Sequence, residues 1–173
     1  MATIIPGIAS DETVTLWWVT SIANTSAPSL ATEINAATSI RLECLLTENF
    51  APDVSAEVGT VRRACSKTVL QRGGTVTYTI SDLVYAYDPQ NPTAASNLSK
   101  AYATLVKGAK GFLVARWGVN VNTAAATAQK VDVWQVEISY GPFKMAPEAN
   151  SELKAKSGVL SISDPVFDAA IAA

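Results

Sequence analysis

Residues 75–80, Thr75-Val76-Thr77-Tyr78-Thr79-Ile80, alternate threonine with a β-branched or aromatic apolar side chain. A two-residue period places Val76, Tyr78 and Ile80 on one face of an extended strand and the threonines on the other. Gly73-Gly74 just before it reads as a turn, and the run from Thr60 to Leu70 is then positioned to pair with it as a hairpin. Beyond Asp82 the apolar pattern continues through Leu83-Val84-Tyr85-Ala86-Tyr87, until Asp88-Pro89 and Asn91-Pro92 break it.

Working outward, the same texture recurs. Residues 13–20 are β-branched and aromatic, with Val14, Leu16 and Trp18 on one face and Thr13, Thr15 and Trp17 on the other. Residues 39–46 put Ile40, Leu42, Cys44 and Leu46 inward, so Cys44 is expected on a core face. Residues 47–59, with Pro52 and the acids Glu48, Asp53 and Glu57, read as a loop leading to Arg62-Arg63 at the start of the next strand. Two further strands are expected at 111–117 and 130–140, the second with Trp134, Val136, Ile138 and Tyr140 on one face, and another at 159–162.

One helix is well specified. Leu98, Ala101, Tyr102, Leu105 and Val106 form a single apolar stripe, Ser96 can cap its start, Lys107 suits the last turn and Gly108 the left-handed position after it. A shorter helix is expected at residues 30–37, capped by Ser29. The fold expected is mainly β, an antiparallel β-sandwich or barrel with one flanking α-helix. Residues 13–163 form the domain, with an amino-terminal arm at 1–12 and a carboxy-terminal arm, punctuated by Pro165, at 164–173.

Composition restricts the function. Charged residues make up 16% of the 173-residue chain and the hydrophobic class 49%, against about 25% charged in an average soluble domain. Cores exclude charge in any protein, so the shortage falls on the surface, and depletion of charge marks surfaces buried between subunits. A formal charge of -2 does not suit a protein that grips nucleic acid by its phosphates. No stretch is long and apolar enough to cross a bilayer, and Met1 to Ser10 has neither the basic start nor the apolar core of a signal peptide, so an unexported, soluble protein with reduced cysteines is expected.

The absence of histidine removes the commonest general base and most zinc sites. Glu48, Asp53 and Glu57 match no calcium-loop spacing and read as a solvated acidic loop, and the glycine pairs lack the strand-to-helix context of a phosphate loop. Arg62-Arg63 and the group Lys107, Lys110 and Arg116 read as a solvated rim, or as a cation over a tryptophan face, rather than a phosphate site. Trp17 and Trp18, adjacent on a strand, point to opposite faces and cannot both enter one ordinary core, so one is expected to meet a helix or another subunit. No enzyme, cofactor or metal is expected.

The order of elements resembles a known family. A strand bearing Trp17-Trp18, a Pro/Ser-rich link, the strand around Ser39-Ile40-Arg41-Leu42-Glu43-Cys44, Arg62-Arg63-Ala64-Cys65 and the strand at 75–80 are similar to the tail tube, or major tail, proteins of long-tailed bacteriophages. In the later half, Tyr87-Asp88-Pro89-Gln90, the helix ending at Leu105-Val106-Lys107-Gly108, and the strands Gly111 to Gly118 and Val131 to Val136 resemble tube proteins of phages infecting actinobacteria.

The resemblance covers roughly residues 10–163. It implies a virion protein, made and assembled in the bacterial host cytoplasm, that forms hexameric rings stacked into a hollow tube for genome ejection. Its partners would be copies of itself, the tail terminator, tape measure and distal tail proteins, and phage DNA passing without specific binding; it implies no catalytic residues. Self-association candidates are Ile4, Ile5, Trp17, Phe50, Phe143, Val166 and Phe167, apolar side chains at the ends of the chain or at strand and loop positions. The competing readings are a monomeric, carbohydrate-type β-sandwich using exposed tryptophans, and another ring-forming tail or secretion-tube protein.

Overall fold

The computed structural model describes residues 12–65, 67–93 and 97–173. The body is one antiparallel seven-stranded sheet. Strands β1 (Val14–Val19), β2 (Ile40–Arg41), β5 (Leu83–Ala86), β6 (Lys110–Trp117), β7 (Lys130–Lys144) and β8 (Lys154–Ser161) run in the order β2-β1-β6-β7-β8-β5, and β9 (Val166–Ala170) also pairs with β7. β3 (Pro52–Arg62) and β4 (Val69–Ile80) form a separate two-stranded sheet. The mainly antiparallel β architecture is the one expected.

The three central strands are apolar on both faces because the sheet is covered on both. Register aligns Trp18 with Leu113 and Leu113 with Trp134, and these join Leu16, Val136 and Ile138 in the larger core. On the opposite face Trp17, Val19, Val114, Val131 and Val133 build a second core. Ile34 of a single π-helical turn (Leu30–Ile34) covers it, with Ala169 and Ile171 from the end of the chain. Each such large apolar side chain contributes about 2 kcal/mol by leaving water. Trp17 and Trp18 are thus both buried, in different cores, and Trp17 packs beside the helical turn.

Packing at the centre leaves no room at Gly111. A Cβ there would lie 2.7 Å from Trp18 Cζ2 and 2.9 Å from the Val19 carbonyl oxygen, so glycine is required for the Trp18 ring to lie across β6. The helical turn at 30–34 starts as expected, with the Ser29 hydroxyl accepting from the Thr32 amide. It is stabilised by the Glu33 carboxylate, which accepts from the amides of Ala23 and Ser29 at 2.7 Å each.

The structure corrects four expectations. Residues 39–46 do not continue as a strand: after Arg41 the chain turns, with Leu45 and Leu46 amides both bonding the Leu42 carbonyl, and Cys44 is exposed rather than on a core face. The expected loop at 47–59 is largely β3, and Arg62 ends that strand instead of opening the next. Gly73-Gly74 lies inside β4, and the reversal falls between Arg62 and Val69. The helix is a single turn, α1 (Lys100–Thr104). It unwinds at Leu105 because the Lys107 and Gly108 amides donate to the carbonyls of Gly141 and Ile138 on β7. Ala101 and Leu105 of its stripe are buried while Leu98 and Val106 stay exposed. Gly108 takes the expected positive φ of 83°, and the proposed cap Ser96 lies outside the described residues.

Candidate assembly surface

β3 and β4 pair from Pro52 opposite Ile80 to Arg62 opposite Val69, with a bulge between Ala56 and Val58. Strands of 11 and 12 residues make a hairpin about 35 Å long at roughly 3.4 Å per residue. Only its root meets the body: Ile80 is buried, and Tyr78 packs edge-on to Trp134 with ring centroids 6.0 Å apart. Beyond the root every described side chain is exposed on both faces, among them Val54, Val58, Val61, Val69, Leu70 and Val76.

Such an element is unusual in a finished subunit. An isolated two-stranded hairpin is at best marginally stable, and its open edges offer unpaired backbone groups to other chains. Apolar side chains on both faces add area that becomes useful only when something covers it. Its charge is also one-sided. Arg62, Arg63, Lys67 and Arg72 crowd the tip, and no acidic residue occurs between Val58 and Ile80.

At the hairpin root the body has a groove of about 680 Å³ whose lining includes Glu12, Glu43, Glu48, Phe50 and Trp117, and no cationic residue. Phe50 and Trp117 form its aromatic wall, with ring centroids 6.1 Å apart. Trp117 is 41% exposed and its indole N–H donates to Asp132 Oδ2 at 2.8 Å. Arg41 pairs with Glu43 through one carboxylate oxygen. The other, Oε2, is buried without a partner.

Behind the groove the fully buried Arg116 holds the 118–129 loop together. Its guanidinium donates to the carbonyls of Thr123 (2.8 Å) and Ala124 (3.2 Å), to Gln129 Oε1 (3.0 Å) and to Thr15 Oγ1 (3.0 Å). It also lies 5.3 Å from the centroid of Trp17. The cation over a tryptophan face foreseen for this group is therefore present, on Trp17 and in the interior. Burial, and then the nearby Arg41, push the Arg116 pKa down, but a guanidinium stays charged and the neutral acceptors solvate it.

The self-association candidates separate. Phe143 and Phe167 are 58% and 50% exposed. Val166 is half-buried beside the second core, and Phe167 lies against Tyr78 and Trp134. Trp17 is buried in the second core, and Phe50, buried at the edge of the larger core, lines the groove. Ile4 and Ile5 lie outside the described residues. The segment 164–173 runs along β7 as β9 and puts Ala169 and Ile171 into the second core, so cutting it would open the subunit itself.

Val54 and Val58 read as loop residues because Pro52, Asp53, Glu57 and Gly59 disguise β3; the period-two spacing of Val54, Ala56 and Val58 is the signal available. The expected acidic loop is dispersed too, with Asp53 and Glu57 on β3 and Glu48 in the groove wall. Trp17, Trp18 and Trp134 are buried, so of the four tryptophans that a carbohydrate-type module would expose only Trp117 is exposed. Among the described residues no group of three potential ligands could hold a metal ion, and no helix is long and apolar enough to cross a membrane.

Compact on one side and unfinished on the other, the molecule has the form of a subunit built to be assembled. Over residues 1–173 it matches the family model described as phage tail tube protein, and it belongs to that family. It is therefore a structural protein of the virion tail. None of the curated proteins matches the chain.

Proposed function

We propose that this protein polymerises as hexameric rings stacked into a hollow tail tube that conducts the phage genome during ejection, with the β3–β4 hairpin as the element that joins subunits. The observation that carries this reading is the hairpin itself, long, apolar on both faces and attached only at its root. Neighbouring copies complete it by pairing its edges and covering its valines, a head-to-tail contact that generates rings where rotation closes and filaments where it does not. The tail terminator, tape measure and distal tail proteins meet the tube at its ends and in its lumen. DNA slides through without specific binding, in keeping with the net charge of -2. Assembly takes place in the cytoplasm of the bacterial host.

The test is negative-stain electron microscopy with light-scattering mass over a range of concentrations, on the full chain and on a variant in which residues 54–78 are replaced by a short turn. Six-membered rings or hollow tubes from the full chain, and folded monomers from the variant, are expected. A full chain that stays monomeric at every concentration contradicts the reading.

A further inference from the structure

We propose that the basic tip of the β3–β4 hairpin of one copy docks into the acidic, tryptophan-walled groove at the hairpin root of a second copy. The inference rests on the tube reading and names the two surfaces that meet.

Charge is the first ground. Among the described residues none of Arg62, Arg63, Lys67 and Arg72 forms an ion pair. The groove sets Glu12, Glu43 and Glu48 around a cavity with no cation in its lining. Arg41, at its side, satisfies one oxygen of Glu43. The Glu43 side chain is only 9% exposed, yet its Oε2 has no partner, and a buried carboxylate oxygen without a donor is costly unless something completes it. A guanidinium suits this site: its planar fork donates to carboxylates and its face stacks on an indole, here the half-exposed Trp117.

Distance is the second ground. The groove is lined by Glu48, Asn49 and Phe50, the residues that lead into β3. A chain's own tip therefore lies the whole hairpin, about 35 Å, from its own groove and cannot turn back into it. Each copy carries one tip and one groove on different surfaces, so the contact is heterologous, and it builds rings where the rotation closes and filaments where it does not. Successive copies joined this way are offset by about the hairpin length. Residues 1–11, which adjoin Glu12 in sequence, include Asp11 but no lysine or arginine, and so do not match the charge of the groove.

The chain carries its own probes. Its two cysteines are both exposed, Cys44 next to Glu43 and Cys65 in the reversal at the tip. Treating the assembled wild-type protein with a short bismaleimide is expected to give a ladder of multimers on a denaturing gel, with Cys44 of one chain linked to Cys65 of another in the peptide map. The paired substitutions Arg62→Glu with Arg63→Glu, and Glu12→Arg with Glu48→Arg, are each expected to lower the assembled fraction at least about tenfold by like-charge contact. Combining all four in one chain should restore it.

Tubes that form normally from the Arg62→Glu, Arg63→Glu chain overturn the docking and leave the tube reading standing, as do cross-links only between Cys65 and Cys65. Cross-links that survive those substitutions but vanish when residues 2–11 are removed assign the groove to the amino-terminal segment, and also overturn it. A wild-type chain that forms neither rings nor tubes removes both proposals.

Discussion

The central strands and the hairpin are built from similar residues and have opposite fates. β1, β6 and β7 are rich in valine, leucine and tryptophan, and both their faces are sealed by the chain itself. β3 and β4 carry valine at comparable spacing, yet almost nothing in the subunit covers them. Strand propensity thus decides that both regions are extended, while burial within one chain decides which of them the subunit can stabilise alone. A core that takes only Tyr78 and Ile80 from the root of the hairpin leaves the rest of it free to serve assembly.

The sharpest way to break this contrast is to damage one region and read the other. Trp18→Ala empties the centre of the larger core and should cost about 3–5 kcal/mol in chemical denaturation. In the hairpin, Val58→Thr should change that stability by less than about 0.5 kcal/mol, while lowering the assembled fraction measured by light scattering. A hairpin substitution that unfolds the monomer would erase the distinction.

Gly111→Ala comes next. The added methyl group meets the Trp18 ring and the Val19 carbonyl, and a cost of about 1–3 kcal/mol is expected. By contrast Gly73, inside the hairpin, has open space at its Cβ position, and Gly73→Ala should be nearly neutral in the same urea titration.

Tyr85 sharpens the comparison through pH. Burial raises its pKa to about 12 from 10.0, opposed by the hydrogen bond with Ser157; that hydroxyl pair is 2.7 Å apart. Because the folded state holds the phenolic proton more tightly, this stability is fully present below pH 10 and is lost as pH rises through about 12. The loss is about 2–3 kcal/mol. Tyr85→Phe should cost about 1 kcal/mol near neutrality, for the lost hydrogen bond, and should lack the Tyr85 share of the alkaline decline. Denaturation at pH 9 and pH 11.5 measures both. An unchanged alkaline slope in the variant would contradict the burial account.

Legibility from sequence followed the same division. β1, β6, β7 and the mainly antiparallel β fold were readable because a covered sheet imprints apolar residues at successive positions, as in Leu16-Trp17-Trp18-Val19. β3 was not, since no core enforces alternation along it and Pro52, Asp53 and Gly59 imitate a loop. The stretch 63–68 has no glycine, proline, asparagine or aspartate, so Gly73-Gly74 is the stronger turn signal in the sequence although it lies opposite the bulge. Residues 39–46 misled the other way: Leu42 is buried, but its carbonyl caps a turn that carries Cys44 outward.

Of the self-association candidates, Phe143 and Phe167 are exposed. The groove was hidden because its three glutamates come from segments around residues 12, 43 and 48, which only the curl of the chain brings together.

Amide hydrogen exchange across β3 and β4, in the free subunit and in the assembled protein, tests the central claim most directly. The account predicts rapid exchange of the hairpin amides before assembly and protection rising at least about a hundredfold after it, as neighbouring copies cover its faces and pair its edges. The amides of β6 and β7 should be protected throughout. Hairpin amides already protected in the monomer, or still exchanging fast in the tube, would contradict it.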